Sequence, residues 1–314
     1  MEMTFGIVLP VFGLVLCGYL VGRTRILTRE GIHGLTNFVF YVAVPVLMFR
    51  TVARNDIPDL TDLSILAAYY GGSYILYFIA VVVGRLLFKL PLDQLAIFGM
   101  GTIYGNTLML GLPIVFALYG EAGMLPLLIL VSFHNPMFIT LTALMIEIGR
   151  GANKPKHEIM LTALKTLSSN PVVIAICLAL PITYFGWSLP KPVDRFGELL
   201  SAAAAPCALF ALGASLVEYR VAGKIDESLS IVALKLVAHP LIVFALSTYV
   251  FELEPMWAAV AIIMAALPTG ANVFIYASGY GIYVARATSA TLISTGLSVF
   301  TVALVLTWVA RASN

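Results

Sequence analysis

Charge is what this sequence has least of. Only 11% of its 314 residues are Asp, Glu, Lys or Arg, under half of the roughly 25% usual in soluble domains. By contrast 61% are hydrophobic, and the mean hydropathy is +0.99. Such a balance, spread over many long apolar runs, excludes a soluble globular domain and indicates a polytopic helical membrane protein. Cysteine is scarce too. Cys17, Cys177 and Cys207 lie far apart in apolar runs, which excludes a disulfide framework or zinc site and leaves them as small buried packing residues. The start, Met-Glu-Met-Thr-Phe, is acidic where a cleavable signal would be basic. Catalytic motifs are missing as well. His157-Glu158 opens no His-Glu-x-x-His run, and Gly213-Ala214-Ser215-Leu216 lacks the second glycine of a nucleophile elbow. An enzyme, a metal site and a cofactor are therefore not expected, and neither is a nucleic-acid partner. A channel is the rival in another class, but no ring of charge or repeated pore lining is visible.

What is present is a series of membrane-length apolar runs. A helix needs about 20 residues to cross a bilayer. Ten runs qualify, over about 5–22, 33–53, 62–87, 93–119, 123–148, 166–187, 194–219, 227–250, 255–280 and 285–310. Most of the 18 Lys and Arg fall on one side of this layout, among them Arg23, Arg85, Arg150 and Arg220. The positive-inside rule then puts both termini on the non-cytoplasmic side, in what is expected to be a bacterial inner (plasma) membrane.

Two of the runs are interrupted. Gly105-Asn106-Thr107 leads into Gly111-Leu112-Pro113, and Pro268-Thr269-Gly270-Ala271-Asn272 breaks the ninth run. Thr107 and Pro268 stand 161 positions apart, and the same offset aligns Pro10 with Pro171, Pro45 with Pro206, and Tyr119-Gly120 with Tyr280-Gly281. Five runs separate equivalent elements. Five is odd, so the halves 1–150 and 151–314 enter the membrane in opposite senses, as an inverted repeat. Paired broken helices in paired halves point to the substrate site of a secondary transporter. The breaks free backbone groups, and Asn106, Thr107, Thr269 and Asn272 either satisfy these or offer themselves to a ligand. The plain alternative is that Pro and Gly only kink two helices.

Three ionisable residues lie deep in the runs. Lys235 and His239 share a face of the eighth at i and i+4, and Pro240 is expected to kink the helix just after them. His134 lies mid-way along the fifth. Glu121, Glu147, Glu252 and Glu254 sit near run ends, and no acidic residue is found at comparable depth. Buried positive groups without an acidic partner suit an anionic ligand. Alternatively Lys235 snorkels to the surface and the histidines pack as core. His134 and His239 are the candidates for proton coupling, because imidazole is the side chain whose ordinary charge change falls near neutral pH.

Taken together, Gly105-Asn106-Thr107 with Gly111-Leu112-Pro113, Pro268 to Asn272, Val44-Pro45, Ala205-Pro206, Leu212 to Ser215 and Asn170-Pro171 resemble the auxin efflux carrier family over essentially the whole chain. The resemblance implies an all-α membrane fold like that of the bile acid–sodium symporters. It has ten helices in two inverted five-helix repeats, with the broken fourth and ninth crossing, and a scaffold and a transport domain each drawn from both repeats. It also implies elevator-like carriage of organic anions, with a homodimer through the scaffold as partner beside the lipid bilayer. By position, Asn106, Pro113, Pro268 and Asn272 correspond to the crossing; Pro45, Thr107, Thr269, Gly270, Lys235 and His239 complete the expected substrate site. The short connection around Gly149 to Glu158 departs from the plant carriers and resembles the bacterial branch, which includes suspected malonate carriers. Sodium symport of the bile acid type is the alternative coupling; no acidic residue near the breaks supports it.

Overall fold

The structure is a computed structural model that describes residues 2–24, 26–54, 63–151, 161, 164–165 and 168–312. Among these, helices are the regular elements, joined by one isolated β-bridge. In chain order they are α1 (Glu2–Thr24), α2 (Arg29–Arg54), α3 (Ser64–Leu87), α4 (Leu92–Ile103), α5 (Thr107–Tyr119), α6 (Met124–Gly149), α7 (Pro171–Tyr184), α8 (Lys191–Glu218), α9 (Ile225–Val250), α10 (Pro255–Ala266), α11 (Ala271–Tyr280) and α12 (Val284–Ala312). Seven of them (α1, α2, α3, α6, α8, α9 and α12) are long and apolar enough to cross a membrane.

Three of the ten expected spans differ from a continuous helix, each for a local reason. The runs at 93–119 and 255–280 are helix pairs separated at Gly105 and at Pro268-Thr269-Gly270. The run at 166–187 gives only the 14 residues of α7. That helix starts abruptly because Asn170 Oδ1 accepts from the Val172 N–H at 2.9 Å and Pro171 occupies the first turn, a favoured beginning. Most of the connection from 149 to 158 lies outside the described residues.

The chain divides into two compact units. The first comprises residues 1–63, 108–132 and 167–218. Its α1 and α8 meet backbone to backbone: a Cβ added to Gly213 would fall 1.8 Å from the Val15 carbonyl oxygen, and one on Gly18 would fall 2.1 Å from that of Phe210. Only glycine permits this approach, the usual device of membrane helix pairs. In α2 a π-helical turn at Val39–Ala43 precedes the buried Pro45; the wider turn accommodates a residue that has no N–H to give. Near the end of α2 the buried Arg50 donates to Asp194 at 3.1 Å and to Ser201 at 3.1 Å on α8, and Arg54 reaches both Asp194 and Glu121. Two cysteines depart from the expected interior positions. Cys17 and Cys177 are exposed; a thiol is apolar enough to face lipid as readily as core.

The second unit comprises residues 64–107, 133–166 and 219–314. Its α9 carries π-helical turns at Leu234–Ala238 and Leu246–Val250. Pro240 follows the first, where the expected kink is taken up as a bulge in the helix. At the start of α9 Glu227 is fully buried and pairs with Arg286 at 3.1 Å and Lys224 at 3.3 Å. Its place at the very start of the eighth apolar run gives this carboxylate no signal of such depth in the sequence.

Candidate functional site

In the second unit the two interruptions meet as a miniature antiparallel ladder. Gly105 bridges Thr269. The Asn106 N–H donates to the Pro268 carbonyl at 3.0 Å, and the Gly270 N–H donates to the Tyr104 carbonyl at 2.9 Å. Backbone groups freed by one break are thus satisfied by the other, as the interior of a membrane protein requires. The approach is close: a Cβ on Gly270 would lie 3.1 Å from the Gly105 oxygen, and one on Gly105 would lie 3.3 Å from the Met264 oxygen. The residue types in the breaks follow from this. Pro268 needs no donor, and the two glycines leave room for the opposite strand.

Side chains brace the ladder. Thr269, fully buried, donates from Oγ1 to the Gly101 carbonyl at 2.9 Å, while its N–H donates to Ser294 Oγ at 3.1 Å. Both polar groups of Thr269 therefore serve the protein itself. Asn272, in the first turn of α11, donates from Nδ2 to the Tyr104 hydroxyl, which in turn donates to Asn135 Oδ1. The Asn106 side chain is half-buried, and Thr107 is buried with its N–H on the Gly105 carbonyl at 2.9 Å.

Lys235 stands against this ladder. It is fully buried, so it does not snorkel to a surface. Its Nζ donates to the Ala265 carbonyl at 2.7 Å and lies 2.9 Å from His239 Nδ1. A Cβ on Gly105 would be 3.5 Å from the same Nζ. An ammonium has three N–H donors, and these two partners are neutral acceptors. His239 Nε2 lies 2.9 Å from Ser73 Oγ, whose hydroxyl donates to the Tyr69 carbonyl at 2.8 Å. The polarity of the row is fixed from its Tyr69 end. The Tyr69 carbonyl takes the single hydroxyl proton of Ser73, so Nε2–H donates to Ser73 and Nδ1 of the neutral ring accepts from Lys235.

His134 is buried between the rings of Tyr104 and Phe138, at centroid distances of 4.6 and 4.8 Å. Neither of its nitrogens makes a hydrogen bond of good geometry, although the Gly105 backbone acts on the ring. Seven of the expected site residues (Asn106, Thr107, Pro268, Thr269, Gly270, Asn272 and Lys235) therefore gather at or against the ladder, with His239 and His134 alongside. Pro45 and Pro113 belong to the first unit. Tyr104, Ser73, Asn135 and Ser294 were missed. Tyr and Ser in an apolar run read as packing, although Tyr104 beside Gly105 and Asn135 in His-Asn-Pro were adjacent signals.

Comparison with known proteins agrees with this arrangement at the level of family. Residues 3–306 match the Membrane transport protein family. A protein of Rhizobium meliloti (strain 1021) named "Putative malonate transporter" is 30% identical over 298 residues, 95% of this chain and 93% of that one. "Auxin efflux carrier component 8" of Arabidopsis thaliana is 25% identical, covering 87% of this chain and 88% of its own. An uncharacterized transporter of Methanocaldococcus jannaschii is 24% identical, over 95% and 96%. The chain belongs to the membrane transport protein family that includes the auxin efflux carriers; it is an integral membrane transporter and not an enzyme.

Proposed function

We propose that this transporter carries a small organic anion, a carboxylate of the malonate class, by alternating access of the elevator type and without sodium. The observation that carries this reading is Lys235: a fully buried amino group whose partners among the described residues are a carbonyl and an imidazole nitrogen, against two bridged backbone breaks. A buried cation with no counter-charge is costly. An anion at the breaks offsets that cost, and the α11 N-terminus that opens there adds partial positive charge. The Asn106 and Asn272 amides then offer donors to a carboxylate. The relative named as a malonate transporter supports the substrate class. In this reading the ten spans form two inverted five-helix repeats with crossing fourth and ninth helices. The first unit acts as scaffold and homodimer contact, and the second as the moving part. Both termini face away from the cytoplasm across a bacterial inner membrane.

The test is uptake into liposomes holding the purified chain, over a panel of mono- and dicarboxylates. Saturable uptake, accelerated by the same anion preloaded on the far side and unchanged when choline replaces sodium, is the expected result. Unsaturable flux would indicate a channel, and a strict sodium requirement would indicate the symport alternative.

A further inference from the structure

Two buried imidazoles flank the bridged breaks, and their bonding is opposite. His239 has both nitrogens engaged, Nδ1 with Lys235 and Nε2 with Ser73. A proton added to His239 would have to sit on Nδ1, facing the ammonium, and would break the row. His134 has both nitrogens without a hydrogen bond of good geometry, and the hydroxyl of Tyr69, a neighbouring ring at 6.3 Å, has no partner either. The groups that face His134 are Tyr69 from α3, Tyr104 from the end of α4, and Lys235 from α9, with His239 beyond; Phe138 lies one turn along its own helix. No carboxylate is among them. His134 is therefore a buried proton site whose use would add a second cation to the interior that holds Lys235.

An arriving anion changes that balance in a way that depends on its charge. A monoanion is matched by Lys235 alone. A dianion leaves one negative charge unmatched in the same interior, and a proton on His134 supplies the missing cation. We propose that His134 takes up one proton when a dicarboxylate dianion binds at the breaks, and none when a monocarboxylate binds. This rests on the carboxylate reading given above. The proton comes from water, occupies Nδ1 or Nε2, and leaves when the dianion leaves. No bond other than N–H forms or breaks. Dicarboxylate and proton then cross together, whereas a monoanion crosses alone.

The experiment is calorimetric titration of the full-length purified chain with malonate and with monomethyl malonate at pH 8. Each titration is run in two buffers of different ionisation enthalpy, so that the difference in heat counts protons. The wild type is expected to take up about one proton per malonate and about none per monomethyl malonate. In His134→Gln the malonate count is expected to fall to about zero. Its malonate affinity should drop about tenfold or more, with the monoester affinity little changed. His239→Gln is expected to weaken both ligands yet keep the proton count. Malonate binding without proton uptake by the wild type overturns the proposal and leaves the carboxylate reading standing. So does a His134→Gln protein that still takes up the proton. If the wild type binds neither compound nor any other carboxylate, both readings fall. Where His134→Gln does not fold, His134→Asn, which also lacks a ring nitrogen to protonate, is measured in its place.

Discussion

Among the described residues each unit buries one basic side chain of Arg or Lys, and the two are treated in opposite ways. Arg50 in the first unit is 5% exposed and meets a carboxylate, Asp194, and a hydroxyl, Ser201. Its neighbour Arg54 shares Asp194 and also reaches Glu121. That cluster is electrically answered from within and ties α2 to α8. Lys235 in the second unit is fully buried and, among the described residues, meets a carbonyl and an imidazole nitrogen but no carboxylate. Guanidinium suits the first task because its planar fork addresses several acceptors at once. An ammonium on a flexible stem suits the second, where a donor is left over. A buried charge that the protein itself neutralises is structural; in the function proposed above, one that it leaves unneutralised meets the anion that arrives.

Exchanging each cation for a neutral side chain should separate these roles. Lys235→Met is expected to have the largest effect on function: carboxylate transport lost, and affinity reduced by about a hundredfold or more. Yet the melting temperature should hold or rise, because an apolar replacement for an unmatched buried cation is neutral or stabilising. Arg50→Met should show the reverse. Asp194 loses its buried partner while keeping Arg54, so a stability loss of about 1–3 kcal/mol is expected with carboxylate affinity unchanged. Thermal unfolding and binding, measured on both variants, check the comparison. If Lys235→Met binds malonate as the parent does, Lys235 is a core residue and the contrast collapses.

The breaks test the same contrast through added negative charge. Asn272→Asp and Asn106→Asp keep the side-chain size but place a carboxylate where an anion is expected. Transport should fall below detection for both, at normal membrane expression, while the serine variants retain part of it. Asp variants that carry malonate at the parental rate would leave the breaks as braces only.

These sites differ in how far the sequence exposed them. Gly, Pro and Asn at membrane depth have few innocent explanations, so the breaks at Gly105 and Thr269 were legible as breaks. Lys235 and His239 at i and i+4 were legible as a pair for the same reason. The bridge pairing Gly105 with Thr269 was not, because local sequence carries no signal for which two backbones meet. Thr269 was expected either to satisfy freed backbone or to meet a ligand; its hydroxyl donates to Gly101 and its N–H to Ser294, a pairing local sequence does not signal. Glu227 lay too near the start of its run to stand out, yet it is fully buried and paired with Arg286 and Lys224. Cys17 and Cys177 failed in the other direction. An apolar run in a membrane has two apolar destinations, core and lipid, and composition does not choose between them.

The smallest expected effect probes how Lys235 is held. Ser73 touches neither breaks nor ammonium, but its hydroxyl accepts from His239 Nε2 and donates to the Tyr69 carbonyl. It thereby keeps the proton of His239 on Nε2 and leaves Nδ1 free to accept from Lys235. Ser73→Ala removes that constraint. The buried Nε2–H is left without a partner, which costs about 1–3 kcal/mol. The ring can escape that cost by moving its proton to Nδ1, where it opposes an N–H of Lys235. Either outcome loosens the ammonium without changing the charge of the unit. Carboxylate affinity should therefore fall by only a few-fold, far less than in Lys235→Met, with a small drop in melting temperature. Ser73→Thr, which keeps the hydroxyl, should recover the affinity if the larger side chain is accommodated. If Ser73→Ala leaves affinity untouched while lowering stability, the row serves packing alone, and Lys235 is positioned by the Ala265 carbonyl.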